Sequence, residues 1–212
     1  MRILITAGPT REPIDPVRYL TNRSSGKMGY ALAGAALEAG HEVDLISGPV
    51  NLAAPEGVHF RSIETAQEMF DAVAETIPGA DVAIFCAAVA DYCVKEVAGE
   101  KIKKADGELT LTLVKNPDVL GSVRSVFGFE GFLVGFAAET ENLEENAKGK
   151  LRRKSCDLLV ANDVSRSDIG FDQDENEVLF FFADGREERL AKAGKREIAR
   201  EIIARVEKAL QD

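Results

Sequence analysis

Residues 1–39 read MRILITAGPTREPIDPVRYLTNRSSGKMGYALAGAALEA, and this stretch decides the fold. Residues 1–7 are a short apolar run rich in β-branched side chains, which reads as a buried strand. Residues 30–39 are alanine-rich with no breaker except Gly34, and read as a helix. The connection from Gly8 to Ser25 far exceeds the roughly 2–6 residues of most βα loops, and it holds Pro9, Pro13 and Pro16. Long loops on a rigid scaffold tend to carry function. This one ends in Asn22-Arg23-Ser24-Ser25-Gly26-Lys27-Met28-Gly29. Small hydroxyl-bearing residues at a helix start, beside free N–H groups and Lys27, suit a phosphate or carboxylate. An ordinary serine N-cap is the commoner meaning of such a pattern; the loop length favours the ligand.

Working outward, residues 41–46 (HEVDLI) form a second strand behind the helix-ending Gly40, and residues 58–63 a third. Residues 65–77 place Met69, Phe70, Val73 and Ile77 on one helical face, closed by Pro78-Gly79. The run 81–88, DVAIFCAA, is nearly all apolar, as in a central parallel strand covered on both faces. A polar connection over 89–106 follows, then alternating ELTLTLVK at 108–115. Asn116-Pro117-Asp118 reads as an N-cap with proline in the first turn of a helix over 119–127. Strand 132–137 runs through Ala138-Glu139-Thr140 into a helix ending at Lys154, and strand 157–161 ends at Asn162-Asp163. Asp184-Gly185 marks a hairpin between 177–183 and 187–190, and 195–210 carries Ile198, Ile202, Val206 and Leu210 in helical register. The expected fold is α/β: a Rossmann-like, doubly wound, mostly parallel sheet with helices on both faces and a small C-terminal β-hairpin. With no repeat and no linker, residues 1–212 read as a single domain.

A net charge of −10 argues against nucleic acid as a bulk partner but leaves room for a small anionic ligand. No apolar run approaches the ~20 residues of a membrane span, and no signal peptide is visible, so a cytoplasmic location is expected. Cys86, Cys93 and Cys156 form no C-x-x-C pair, and with only His41 and His59 a zinc site or a histidine-based triad is not expected. The G-x-G-x-x-G fingerprint is absent after the first strand, Asp44 lies inside the second, and no P-loop occurs, which disfavours a nicotinamide enzyme. In an open α/β sheet ligands sit beyond the carboxyl ends of strands. Gly8-Pro9-Thr10, the 87–91 segment AAVAD, Asn116, Ala137-Ala138-Glu139 and Asn162-Asp163 all fall there. Lys101, Lys103 and Lys104 leave the central strand's loop, and Lys150 and Lys154 share a helix face; together over one rim they would neutralise a triphosphate. Such lysines are more often solvated surface, and Phe136 more often core than a stacking partner for a base.

The runs TAGPTREPIDPVRYLTNRSSGKMG, AAVADY, KIKK, KNPDVL, GFAAET and K-x-x-x-K-x-x-D-L-L-V-A-N-D, in that order across residues 3–165, resemble the phosphopantothenate–cysteine ligase family. That resemblance implies a ligase of coenzyme A biosynthesis joining 4′-phosphopantothenate to L-cysteine. It implies CTP as cosubstrate, an acyl-cytidylate intermediate, release of pyrophosphate and CMP, and Mg²⁺ accompanying the triphosphate without a protein metal site. Carried over by motif, Asn22 would hold the acyl-cytidylate and polarise its carbonyl, and Lys101 would bind phosphate and stabilise charge at transfer. Ala87, Asp91, Asn116, Pro117, Asp118, Val119, Phe136, Lys150 and Lys154 would surround CTP. Ser24, Ser25 and Gly26 would cap the helix and admit substrate closely. The family is dimeric, and the hairpin or the proline-rich loop is the expected contact, with the site completed by a neighbouring subunit. In many bacteria the domain is fused behind a flavin decarboxylase. The chain therefore reads as a stand-alone ligase or an excised domain, with a separately encoded phosphopantothenoylcysteine decarboxylase as pathway partner. Two departures from the family pattern are Pro9, where glycine is usual, and Cys93-Val94, where a basic residue and proline are common. The rivals to a ligase are an NAD(P)-linked or nucleotide-sugar enzyme and a non-catalytic nucleotide sensor.

Overall fold

The computed structural model describes residues 1–104, 107–139, 141–163 and 175–211, with Asp163 given by its backbone alone. Thr140, expected at a helix entry, and Asp106, at the end of the polar connection, lie outside the described residues. In chain order the first half comprises β1 (Arg2–Ala7), β2 (Arg11–Pro13), β3 (Tyr19–Thr21), α1 (Lys27–Glu38), β4 (Glu42–Ser47), β5 (His59–Ser62), α2 (Ala66–Thr76) and β6 (Val82–Phe85). The second half comprises β7 (Tyr92–Val94), β8 (Leu113–Lys115), α3 (Val119–Ser125), β9 (Phe132–Glu139), α4 (Leu143–Lys154), β10 (Leu158–Asp163), β11 (Glu175–Phe182), β12 (Glu187–Gly194) and α5 (Lys195–Ala209).

Eight strands pair in the order β12-β11-β10-β9-β6-β1-β4-β5. The six from β10 to β5 are parallel, and β11 and β12 extend the sheet antiparallel. The expected hairpin is thus present as two eight-residue strands that form one edge of the main sheet. Strand residues alternate between faces. Ile3, Ile5, Val43, Leu45 and Ile84 pack with Leu32, Ala33, Ile198 and Ile202 of α1 and α5. Leu4, Ile46, Ala83 and Leu133 pack with Met69 and Val73 of α2, Val123 of α3 and Leu151 of α4. Both faces being covered, β1 and β6 are buried at every position except the half-buried Arg2, which explains their apolar runs.

The chain winds outward from β1 through β4 to β5, then crosses back to β6 and winds the other way. The switch point is therefore between β1 and β6, where a crevice opens beyond the strand ends. Strand 81–88 ends early, at Phe85: residues 86–91 leave the sheet as a loop, held by an isolated bridge between Pro9 and Ala88. The bridge uses the Ala88 N–H to the Gly8 carbonyl (2.9 Å) and the Thr10 N–H to the Ala88 carbonyl (3.3 Å). The Pro9 nitrogen, without a hydrogen, is not asked to donate.

Two small arms depart from the sequence reading: the first was not expected, and the second uses only the end of the alternating 108–115 run. β2 and β3 form a hairpin inside the proline-rich loop, and β7 pairs antiparallel with β8, the only part of 108–115 that is strand. β2, β3 and β7, three residues each, are too short to show a period. Pro117 precedes the cap rather than entering the helix: Asp118 is the N-cap of α3, accepting from the Gly121 N–H at 2.9 Å.

Candidate active site

Two adjoining cavities fill the crevice. The first, about 550 Å³, is bounded by the 87–92 loop, the 115–120 segment at the start of α3, Phe136 of β9, and Lys150, Arg153 and Lys154 of α4. The second, about 280 Å³, lies between residues 24–29 at the start of α1 and Asn162, Asn176, Val178 and Lys195 on the β10–β11–α5 side. They share Ala87, Val89, Asp91, Phe136 and Lys150. Of the expected residues, Ala87, Asp91, Asn116, Pro117, Asp118, Val119, Phe136, Lys150 and Lys154 line the first cavity. Ser24, Ser25 and Gly26 line the second.

The first cavity is built by side chains that hold one another. Asn116 donates its amide to the Ala90 carbonyl (2.8 Å), and its own N–H to the Asp91 carbonyl (2.9 Å), fastening KNPDV to AAVAD. Asp118 pairs with Lys154 across the cavity's edge. Burial pushes the Asp118 carboxyl up, but the bonds from Lys154 and the Gly121 N–H outweigh it and leave it below the usual carboxylate range. Lys150 donates to the Phe136 carbonyl at 2.7 Å. Burial is the main influence on its ammonium and holds it below the ordinary lysine value despite nearby Glu139.

The second cavity corrects the serine-cap expectation. Gly26 is the N-cap of α1, its φ of 77° is left-handed, and no side chain caps the helix. Ser24 Oγ accepts from the Gly26 N–H, at 3.4 Å, one residue ahead of the helix. A β-carbon at Gly29 would stand 2.5 Å from that of Ala7, so glycine lets α1 lie directly on β1. Residues 27–29, the first turn of α1, line the second cavity. Across from them Lys195, 7% exposed, begins α5, and Cys86 sits beside it with its thiol pushed by burial up to about 12. Such a thiol is no nucleophile at neutral pH.

Asn22 and Lys101 stand apart from both cavities. Asn22 lines a neighbouring depression with Pro9, Arg11, Tyr19 and Thr21. Its amide nitrogen donates to the Ala88 (3.0 Å) and Val89 (3.2 Å) carbonyls, so both hydrogens are engaged by the loop that walls the cavities. Lys101, Lys103 and Lys104 are exposed and line neither cavity, so the expected ring of lysines over one rim reduces, within this chain, to Lys150 and Lys154. Lys115, Arg153, Asn162, Asn176 and Lys195 also line the site and were not singled out as ligand contacts from sequence. Asn162 was placed on the rim; a lysine opening a helix gives no signal of burial. Among the described residues no group of three or more His, Cys, Asp or Glu is placed to hold a metal ion. No helix there is long and apolar enough to cross a membrane.

Fold and crevice define a doubly wound α/β protein with a polar double cavity at its switch point. The chain belongs to the family described as the DNA/pantothenate metabolism flavoprotein C-terminal domain, whose profile matches residues 1–210. The coenzyme A biosynthesis bifunctional protein CoaBC of Vibrio vulnificus is 49% identical over 207 residues, 97% of this chain and 51% of the relative. The protein of that name in Escherichia coli is 50% identical over 188 residues, 87% of this chain and 46% of the relative. The chain thus spans about half the length of the curated relatives it matches. The crystal structure of the C-terminal domain of a CoaBC protein superposes with a TM-score of 0.84 at 43% identity, covering 100% of this chain and 96% of that one. A Cab2 mutant in complex with phosphopantothenate-cysteine has the same fold, with a TM-score of 0.78 at 19% identity over 99% of this chain and 87% of that one.

Proposed function

We propose that the chain is a CTP-dependent ligase that joins 4′-phosphopantothenate to L-cysteine in coenzyme A biosynthesis. The observation that carries this reading is the pair of adjoining cavities meeting at Ala87, Asp91, Phe136 and Lys150. A two-step ligation needs two sites that share one reacting centre. Membership of the family and the ligand held by the Cab2 mutant support the choice of substrates.

In the first step a carboxylate oxygen of phosphopantothenate attacks the α-phosphorus of CTP; the bond to the β-phosphate oxygen breaks and pyrophosphate leaves. In the second the cysteine amine attacks the acyl carbon, the acyl–oxygen bond breaks and CMP leaves, while the amine gives up a proton. Activation turns a poor acyl donor into one with a good leaving group. Lys150 and Lys154 steady charge on the nucleotide phosphates. The Asn116-Pro117-Asp118-Val119 turn, Asp91 and Phe136 enclose the nucleotide, and the start of α1 with Lys195 takes an anionic group in the second cavity. The carbonyls of Ala88 and Val89 hold the Asn22 amide in the free protein; an acyl-cytidylate carbonyl takes over one of those N–H groups. Mg²⁺ suits the phosphate oxygens and water of the triphosphate, which need no protein cage.

The assembly we propose is a homodimer. Val17 and Tyr19 on the β2–β3 arm and Tyr92, Leu113 and Val114 on the β7–β8 arm are exposed apolar side chains on two arms that pack together, β2 beside β7. A site completed by the neighbouring subunit accounts for Lys101 lying away from its own chain's cavities. The product carries the cysteine carboxylate, so a phosphopantothenoylcysteine decarboxylase is the pathway partner. Pyrophosphate release measured across the four nucleoside triphosphates tests the reading. Release with CTP that depends on phosphopantothenate is expected; none with any triphosphate would reject it.

A further inference from the structure

Lys101 sits in a segment, residues 98–104, without helix or strand of its own. We propose that Asp15 and Arg18 form a latch that seats this strap and thereby sets where Lys101 acts; the proposal rests on the phosphate-binding reading of Lys101 above.

The latch is built from the proline-rich loop. Between Pro13 and Pro16 the chain turns on Asp15, whose Oδ1 accepts the N–H groups of Val17 and Arg18, each at 2.9 Å. The Ile14 N–H closes the turn on the Arg18 carbonyl at 2.8 Å. This leaves Asp15 Oδ2 pointing the other way, where it accepts Arg18 Nε (3.1 Å), Arg18 Nη2 (2.5 Å) and the N–H of Ile102 (3.1 Å). The same Nη2 donates to the Ile102 carbonyl at 3.0 Å. One ion pair therefore binds both polar backbone groups of the residue next to Lys101. Four residues earlier the Ala98 N–H adds a second tie, to the Ile14 carbonyl at 3.0 Å.

The pair is built to hold. The Asp15 side chain is wholly buried although it lies in a surface loop, while Arg18 is 42% exposed. The Arg18 hydrogen bond keeps the carboxyl well below the usual carboxylate range, so the latch is ionised throughout the physiological range. It grips main chain and leaves Lys101, Lys103 and Lys104 exposed on either side of the gripped residue. The loop that makes the latch also positions Asn22: Thr21 Oγ1 donates to the Thr10 carbonyl at 2.7 Å, just before Asn22 reaches Ala88 and Val89. One long loop thus places both residues that lie outside their own chain's cavities, which gives its length a purpose.

Asp15→Asn tests the latch without dismantling the turn. The asparagine oxygen can still accept the Val17 and Arg18 N–H groups, but its NH₂ faces the donors of Arg18 and Ile102. Trypsin cleavage after Lys101, Lys103 and Lys104 under native conditions, followed by mass spectrometry, should accelerate about tenfold, the loss of a 1.4 kcal/mol restraint. Nucleotidyl transfer should fall with it, and Asp15→Asn combined with Lys101→Gln should be no slower than Lys101→Gln alone. Unchanged cleavage overturns the latch, and so does a double variant whose losses multiply. If circular dichroism shows Asp15→Asn unfolded, Arg18→Met, which keeps an unbranched stem but removes the charge and the donors to Asp15 and Ile102, takes the same cleavage test. A wild-type protein that releases no pyrophosphate rejects the ligase reading, whereas the cleavage rates still decide whether the strap is latched.

Discussion

Lys150 is the residue whose placement costs the free protein most clearly. Its ammonium is removed from water and its one strong contact is a backbone carbonyl, so burial lowers its proton affinity. The folded value lies below the unfolded one, so the unfolded chain holds the proton more tightly. The strain is therefore present at neutral pH and is relieved as pH rises through the folded value toward the ordinary lysine range. Binding of an anion should follow the opposite course. CTP affinity, measured by calorimetry, is expected to fall with rising pH earlier than a surface lysine would dictate, and Lys150→Arg should flatten that fall. Lys150→Met should weaken CTP binding about 10- to 100-fold, the worth of one charged hydrogen bond, without lowering the melting temperature. Asn22→Asp sets a carboxylate against the Ala88 and Val89 carbonyls. Turnover should drop ~100-fold, as on losing one electrostatic donor, with CTP affinity nearly unchanged; a matching loss of affinity would reassign the residue.

At this scale the cavity positions of Asp91, Asn116 and Phe136 were legible from strand ends and motif order, and that of Lys150 from motif order and the helix face it shares with Lys154. Lys195 was not: a lysine opening an amphipathic helix looks solvated, yet the fold buries it beside the cavity it shares with Asn176 and Val178 of β11. The capping role of Ser24 and Ser25 was misread because the pattern of a serine cap is local, whereas the chain puts Gly26, at a positive φ, in the cap position.

Among elements, the long apolar or periodic ones were readable and the short ones were not. α2 carries its own start signal: Thr65 accepts from the Glu68 N–H at 3.1 Å while Glu68 accepts from the Thr65 N–H at 3.3 Å. Thr65→Ala should cost about 1 kcal/mol in urea unfolding, leaving catalysis intact because α2 touches neither cavity. The β2–β3 and β7–β8 arms have three residues per strand, and of these strands only β8 lies in a stretch whose alternation was readable. If those arms join two subunits, activity per chain should fall on dilution in step with the dimer fraction seen by sedimentation. Constant activity in a monomer would remove the shared site.

Over the whole molecule, a chain of net charge −10 concentrates Lys27, Lys115, Lys150, Arg153, Lys154 and Lys195 around one crevice. Such a distribution selects small anions without attracting polyanions. The fold reaches this by leaving the sheet at Phe85, so that backbone and loop, rather than a glycine fingerprint, line the switch point. The central claim is the acyl-cytidylate, and isotope transfer tests it most directly. 4′-Phosphopantothenate labelled with ¹⁸O in its carboxylate, turned over with CTP and cysteine, should deliver one ¹⁸O into CMP, read by mass spectrometry. Label in inorganic phosphate with CDP as coproduct, or CMP formed without label, would contradict the account.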